Sequence, residues 1–142
     1  MSGGLGTTSS ANIGAYNLTD TSQGTLILAN GPSGANQGLA SNYTLTGGTQ
    51  DYTITQRVLS SSGSKAYDAN TNALAADITL SNLVSGETLN HSGTASISSA
   101  NAASYTITNL AGITLADNAG LASNYTLTGG THNFTVNPKV IS

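Results

Sequence analysis

The chain has 142 residues and a formal charge of −3, carried by only three basic and six acidic side chains. Charged residues make up 6% of it, whereas globular domains usually carry about 25%. The three cations, Arg57, Lys65 and Lys139, are too few and too scattered to neutralise a row of phosphates, which argues against nucleic acid and against membrane as partners. No apolar run approaches the roughly 20 residues of a membrane span, so no membrane insertion is expected.

Apolar and polar residues alternate in short segments, which is the period-two pattern of half-buried β-strands. In chain order, the clearest segments are YTLT at 43–46, YTIT at 52–55, YTIT at 105–108, YTLT at 125–128 and FTVN at 134–137. Weaker candidates are AYNL at 15–18, TLIL at 25–28, DITL at 77–80, TLNH at 88–91 and ITLA at 113–116. Glycine, asparagine and serine separate the segments, and no long stretch has helical periodicity. The sequence therefore predicts an all-β fold.

A long internal repeat organises the chain. The run GLASNYTLTGGT occurs at 38–49 and again at 120–131, an offset of 82 residues that also aligns QDYTITQRVLS with the closing HNFTVNPKVIS. An offset of 89 residues aligns SSANIGAYNLTD with SSANAASYTITN, and the difference lies in a loop. We therefore expect a truncated repeat at 1–60 and a complete repeat at 61–142, with SSSGS at 60–64 as the linker between them.

Each copy contains a Gly-Gly pair between two alternating segments, which is a hairpin signal. A two-residue loop at 129–130 sets Tyr125 opposite Phe134. The expected buried face then consists of Tyr125, Leu127, Phe134 and Val136, and in the other copy of Tyr43, Leu45, Tyr52 and Ile54. Short antiparallel strands and hairpins of this kind predict tandem β-sandwich-like or β-grasp-like repeat beads, with a β-solenoid as the alternative.

Five segments carry a family resemblance: KAYDANTNAL at 65–74, NLVSGETL at 82–89, SSANAASYTIT at 98–108, SNYTL at 123–127 and FTVNPK at 134–139. They are similar to the YDG-type repeat, which occurs in tandem in very large bacterial surface adhesins of the filamentous-haemagglutinin type. Ala69 stands where that family usually has glycine, so a turn that needs positive φ is expected to differ here. The resemblance implies an extracellular, β-rich stalk or spacer module at the bacterial outer surface.

Few side chains in the sequence could carry catalysis. Histidine occurs only as His91 and His132, and no spacing places a base beside a nucleophile or pairs two carboxylates. Gln50 occupies the place of His132 in the other copy, which favours a histidine on the surface of a strand. We therefore predict a non-enzymatic protein with no catalytic residues and no cofactor.

The segment DANTN is the one candidate for metal binding, because Asp68, Asn70 and Asn72 place side-chain oxygens at alternate positions. An EF-hand loop would continue with glycine at Ala73 and a bidentate glutamate at Thr79, and it does neither. A turn held by Asx hydrogen bonds is the alternative. We predict no metal ligands, and a weak calcium site near Asp68 stays open.

Threonine on one face of several strands is typical of ordinary exposed strand faces, and also of surfaces that bind ice or sugars. The chain contains five N-x-S/T sequons, at Asn17, Asn42, Asn90, Asn124 and Asn133. The preferred hypothesis is a non-catalytic stalk or spacer repeat whose partners are neighbouring repeats of the same polypeptide. A carbohydrate-binding adhesive module for host or matrix glycans is the alternative, followed by an ice-binding solenoid.

Overall fold

The computed structural model describes residues 8, 10–18, 26–33, 37, 39–44, 50–107 and 109–141. The chain divides into two compact units, Met1–Thr55 and Gln56–Ser142. No α-helix occurs in these described ranges, which confirms the all-β prediction. The separate prediction of a truncated repeat at 1–60 and a complete repeat at 61–142 stays a prediction.

The described residues form eleven β-strands: β1 (Gly14–Leu18), β2 (Gln50–Ile54), β3 (Arg57–Val58), β4 (Ser60–Ala66), β5 (Asn72–Leu74), β6 (Ile78–Ser81), β7 (Asn90–Ser96), β8 (Ala103–Thr106), β9 (Ile113–Ala116), β10 (Tyr125–Thr126) and β11 (His132–Asn137). Short 3-10 turns lie at Ala40–Asn42, Ala75–Asp77 and Ala122–Asn124.

The described residues of the second unit form three sheets. Four strands lie in the order β6-β4-β11-β8, three in the order β5-β7-β9, and β3 pairs with β10. The largest sheet is mixed, since β11 runs parallel to β4 and antiparallel to β8. The β3–β10 pair is also parallel. The short antiparallel strands expected from the sequence are therefore joined by two parallel pairings between segments far apart in the chain.

Two apolar clusters form the core of the second unit. The larger cluster includes Ile78, Ile97, Ile107, Phe134 and Val136. The smaller cluster consists of Leu59, Leu89 and Tyr125, and Leu127 packs against both clusters. Burying a large apolar side chain contributes roughly 1.5 to 3 kcal/mol, so these two clusters stabilise the second unit.

The predicted hairpin at 129–130 is wrong, although three of its four expected buried residues are buried and the fourth, Leu127, is half-buried. Tyr125 is 3% exposed and Phe134 is fully buried, as expected. However, β10 pairs with β3 while β11 pairs with β4 and β8, so the two strands belong to different sheets. Gly129, at a φ of 86°, does turn the chain, but between sheets. The alternating pattern determines which side chains face inward, but it does not specify which strand pairs with which.

The predicted linker SSSGS is also wrong, because it forms most of β4, between β6 and β11 in the largest sheet. Ser61 is 5% exposed. Gly63 lies so close to the Phe134 ring that an added Cβ would come within 2.8 Å of Phe134 Cδ2. Serine and glycine are the residues of flexible linkers, but here their small size admits a large aromatic ring over the strand.

In the first unit, β1 pairs antiparallel with β2 and places Tyr16 opposite Tyr52. Tyr52 is 53% exposed and Tyr43 is 67% exposed, so the buried face predicted for this copy is wrong at both positions. Ile54 is half-buried. Leu45 lies outside the described residues. The reason is that Phe134, the counterpart of Tyr52, is covered by the larger cluster, which includes Ile78 from residues 61–90, a stretch that has no counterpart in the first copy.

Candidate functional site

The predicted calcium loop is organised around an ammonium group of the chain itself. Lys65 Nζ lies 2.9 Å from Asp68 Oδ1. It also donates to the carbonyl oxygen of Asn70 at 2.9 Å, to Asn70 Oδ1 at 2.8 Å and to the carbonyl oxygen of Asn72 at 2.7 Å. The Lys65 side chain is 9% exposed, and that of Asp68 is 43% exposed. The loop oxygens that a calcium ion would need as ligands therefore surround the Lys65 ammonium instead.

Asx hydrogen bonds hold the same loop, as the turn interpretation predicts. The Asn70 amide donates to Asp68 Oδ1 at 3.2 Å, and the Asn72 amide donates to Asn70 Oδ1 at 2.9 Å. The hydrogen bond from Lys65 lowers the pKa of Asp68 below its ordinary value. Ala69 has a φ of 63°, so the turn adopts the left-handed conformation without glycine, and the expectation of a different turn is wrong.

His132 is buried rather than on a strand surface, with 4% exposure, which corrects the prediction from Gln50. It lies directly opposite Ser61 in the parallel β4–β11 pair. Its Nδ1 is 2.9 Å from Ser61 Oγ, and its Nε2 is 2.8 Å from the carbonyl oxygen of Leu127. A carbonyl can only accept, so Nε2 carries a proton, and in the neutral ring Nδ1 accepts a hydrogen bond from the Ser61 hydroxyl.

The Ser61–His132 contact was missed in the sequence because the two residues are 71 positions apart. Parallel pairing of distant strands leaves no local spacing pattern that could reveal it. Both side chains are buried, and the imidazole N–H is already donated to a backbone carbonyl. The arrangement satisfies three polar groups inside the fold, and it keeps the hydroxyl away from any molecule in solvent.

A cavity of about 500 Å³ adjoins His132. Its lining mixes amide, hydroxyl and apolar groups, contributed among others by Asn109, Leu110, Thr126, Leu127 and Thr128. The volume lies within the range of roughly 300 to 1,000 Å³ that is usual for small-molecule pockets. It is a candidate binding site in the described part of the second unit.

His91 connects three elements of the second unit. From β7, its Nε2 lies 3.0 Å from the carbonyl oxygen of Ala75 in a 3-10 turn and 2.9 Å from that of Ile78 in β6. A ring nitrogen that faces two carbonyl oxygens donates a shared hydrogen bond. His91 therefore holds strand edges together, and sequence reasoning had no signal for this role.

The Tyr125 hydroxyl ties together two of the segments on which the family resemblance rests. It donates a short hydrogen bond to Glu87 Oε2 and accepts one from the Val84 amide at 3.2 Å. Burial, and then the hydrogen bond to Glu87, raise the pKa of Tyr125 above its ordinary value. The segment at 82–89 and the segment at 123–127 are thus coupled through one phenol.

The sequon asparagines lie mostly at the surface: Asn17, Asn42, Asn90 and Asn133 are exposed, and Asn124 is half-buried. Across the described ranges, no group of three or more His, Cys, Asp and Glu side chains is arranged to hold a metal ion. In the same ranges, no helix has the length and apolar character needed to cross a membrane.

Comparison with known proteins identifies the family. The family model of the YDG domain matches residues 53–132, which is more than half of the chain. The match includes the Lys65 loop, the Glu87–Tyr125 contact and the β4 residue Ser61. Searches of curated proteins and of solved structures each gave no significant match. The chain belongs to the YDG domain family.

Proposed function

We propose that this chain is a non-catalytic structural module, a stalk or spacer repeat in a large secreted or cell-surface bacterial adhesin. The supporting observation is one strand pair that recurs in both units. Tyr16 lies opposite Tyr52 in β1–β2, and Tyr105 lies opposite Phe134 in β8–β11. These positions correspond at the two sequence offsets of 89 and 82 residues. A chain that repeats its scaffold in register fits a role in which length, rather than one unique site, is the useful property.

Local details of this strand pair recur as well. The Tyr16 hydroxyl donates to the carbonyl oxygen of Asn12 at 2.7 Å, and the Tyr105 hydroxyl donates to that of Asn101 at 2.6 Å. The turn at Ala40–Asn42 has its counterpart at Ala122–Asn124. Conserved local geometry over two copies supports a repeating unit whose partners are neighbouring repeats of the same polypeptide.

The polar groups of the second unit support a structural role too. The rings of His91 and His132 bind backbone carbonyls, and the Lys65 ammonium is enclosed by loop oxygens. No buried side-chain nitrogen or oxygen among the described residues lacks a hydrogen-bond partner. Polar side chains that are hydrogen-bonded in this way hold strands and loops together, and few of them remain available for catalysis.

The proposed location is the extracellular or bacterial outer surface, where such a module would contribute to cell adhesion and biofilm formation. A weakly charged surface of hydroxyl and amide groups is compatible with an exported stalk. The family resemblance of the YDG segments supplies the link to filamentous-haemagglutinin-like adhesins.

A glycan array probed with the full chain separates the spacer from its main alternative. A spacer is expected to give no saturable binding to any glycan at any concentration at which the protein stays monomeric. Reproducible, saturable binding would contradict the spacer and favour a carbohydrate-binding adhesive module.

The alternative is favoured by one observation, the cavity beside His132 with its amide and hydroxyl lining. If sugars bind there, Asn109→Ala with Thr128→Ala would abolish array binding, because both exposed side chains line the cavity. The matched control is Thr114→Ala, an exposed threonine on β9 that is absent from the cavity lining. Equal loss in both variants would place the sugar elsewhere.

A further inference from the structure

The residues after β11 repeat the residues that open the second unit. At the offset of 82, KVIS at 139–142 aligns with RVLS at 57–60. Leu59 is fully buried, whereas its counterpart Ile141 is 95% exposed and Val140 is 89% exposed. The aliphatic residue at the third position of this pattern therefore lies in a core at one place and in solvent at the other, whereas Val58 at the second position is 38% exposed.

In the second unit this pattern is a strand with specific partners. Arg57 and Val58 form β3, parallel to Tyr125 and Thr126 of β10. The Leu59 amide donates to the carbonyl oxygen of Thr126 at 2.8 Å, and the Leu59 side chain packs with Tyr125 in the smaller cluster. The segment that follows β2 in sequence is thus the first strand of the next unit.

The contacts around β3 show which groups another segment would need in order to take the place of β3. Arg57 Nη2 donates to Asn82 Oδ1 at 2.8 Å, and Asn82 Nδ2 donates to the carbonyl oxygen of Val58 at 2.7 Å. Lysine retains a cationic donor for Asn82, and isoleucine has the same number of carbons as leucine. One departure is Pro138 in place of Gln56, whose amide donates to two carbonyl oxygens at 3.0 Å.

We infer that residues 139–141, the tail segment, are a docking strand for a second YDG unit. In that unit Lys139 and Val140 pair in parallel with the Tyr-Thr strand equivalent to β10, and Ile141 occupies the position of Leu59. The inference rests on the proposed role as a repeat, and it adds the partner and the register of the junction. Ile141, which is almost fully exposed here, would be buried there as Leu59 is, and Val140 would be partly covered as Val58 is, which supplies the driving force.

The direct test extends the full chain by a second copy of residues 61–142 placed after Ser142, so that VIS-SSG replaces the natural VLS-SSG. The tail segment is then the only candidate first strand for the added unit. We expect the Ile141 amide to gain on the order of a hundredfold protection from hydrogen exchange relative to the natural chain. Unchanged exchange at Ile141 would overturn the inference.

Ile141→Asp provides the matched comparison. In the extended chain it is expected to unfold the added unit, seen as a separate early transition, whereas in the natural chain it leaves the melting curve unchanged. An extended chain that tolerates Ile141→Asp, or an added unit that never folds, would contradict docking. Glycan binding would contradict the proposed spacer function and leave these outcomes unaffected, so the two failures are distinguishable.

A second variant tests, within the natural chain, whether the sequence of the tail segment fits the site of β3 and Leu59. Arg57→Lys with Leu59→Ile converts β3 and Leu59 into the sequence of the tail segment. The melting temperature is expected to fall by only a few degrees, as for other volume-conserving core changes, while Leu59→Asp abolishes the cooperative transition. A collapse of stability in the double variant would show that the tail segment does not fit the site.

Discussion

Lys65 Nζ lies 2.9 Å from Asp68 Oδ1, inside a loop in which Asn70 and Asn72 also accept hydrogen bonds from the ammonium. The pair belongs to KAYDANTNAL, one of the segments on which the family resemblance rests. The cation that this loop binds is therefore the Lys65 side chain, and the geometry of the loop depends on it.

Lys65→Met tests that dependence, because methionine keeps the length of the side chain and removes the charge and its donors. The loop oxygens would then lack their shared partner, and we expect the melting temperature to fall by roughly 5 °C. Lys139→Met is the control, since Lys139 is exposed, and it should leave the melting temperature unchanged. Equal melting of all three proteins in calorimetry would mean that the ammonium does not organise the loop.

The depressed pKa of Asp68 predicts a loss of stability in acid. A carboxyl whose folded pKa lies below its unfolded pKa stabilises the protein above the unfolded value of about 3.9, and the contribution disappears as the pH falls through the folded value. Urea melts between pH 7 and pH 2 should show this decline below about pH 4. Asp68→Asn should flatten it; an identical acid slope in that variant would assign the decline to other carboxyls.

Ala69 is an L-residue in the left-handed region, at a φ of 63°. Glycine takes this conformation without steric cost, so Ala69→Gly should stabilise the protein by about 0.5 to 1 kcal/mol despite the entropy that glycine adds to the unfolded chain. Ala116→Gly is the control on an exposed position of β9, and it should destabilise by a similar amount. Chemical denaturation measures both, and destabilisation by Ala69→Gly would contradict the argument.

Sequence patterns predicted the local features of this fold well. The period-two alternation correctly marked Tyr125, Phe134 and Val136 as buried, because alternation reports directly on which face of a strand is apolar. The repeat offsets also matched the strand pair shared by both units, since equal sequences adopt equal local pairing.

Long-range pairing could not be predicted in the same way. The parallel contact between β4 and β11 joins Ser61 to His132 across 71 positions, and no local spacing encodes it. Composition misled at 60–64, where small residues that suggest a linker instead make room for Phe134. The burial of His132 followed from the same unseen pairing, whereas Gln50 suggested a surface site.

The start of the second unit gives a further prediction. Residues 56–60 contribute β3 and the fully buried Leu59, so a fragment of residues 56–142 should melt cooperatively and at a higher temperature than one of residues 61–142. Losing a leucine from a core costs about 2 to 5 kcal/mol, a large part of the stability of so small a domain. Leu59→Ala in the longer fragment should reproduce much of the difference. Equal melting of the two fragments would place β3 outside the folding unit.

The central claim is that this chain is a spacer, and the most direct measurement is its end-to-end distance as a function of copy number. The sequence has no cysteine, so one cysteine added at each end gives two unique labelling sites. Single, double and triple copies of the chain can then be labelled for fluorescence energy transfer or pulsed electron resonance. A spacer predicts equal increments in distance with each copy, unchanged by added glycans. A distance that stops increasing after the first copy, because the copies collapse onto one another, would contradict the claim.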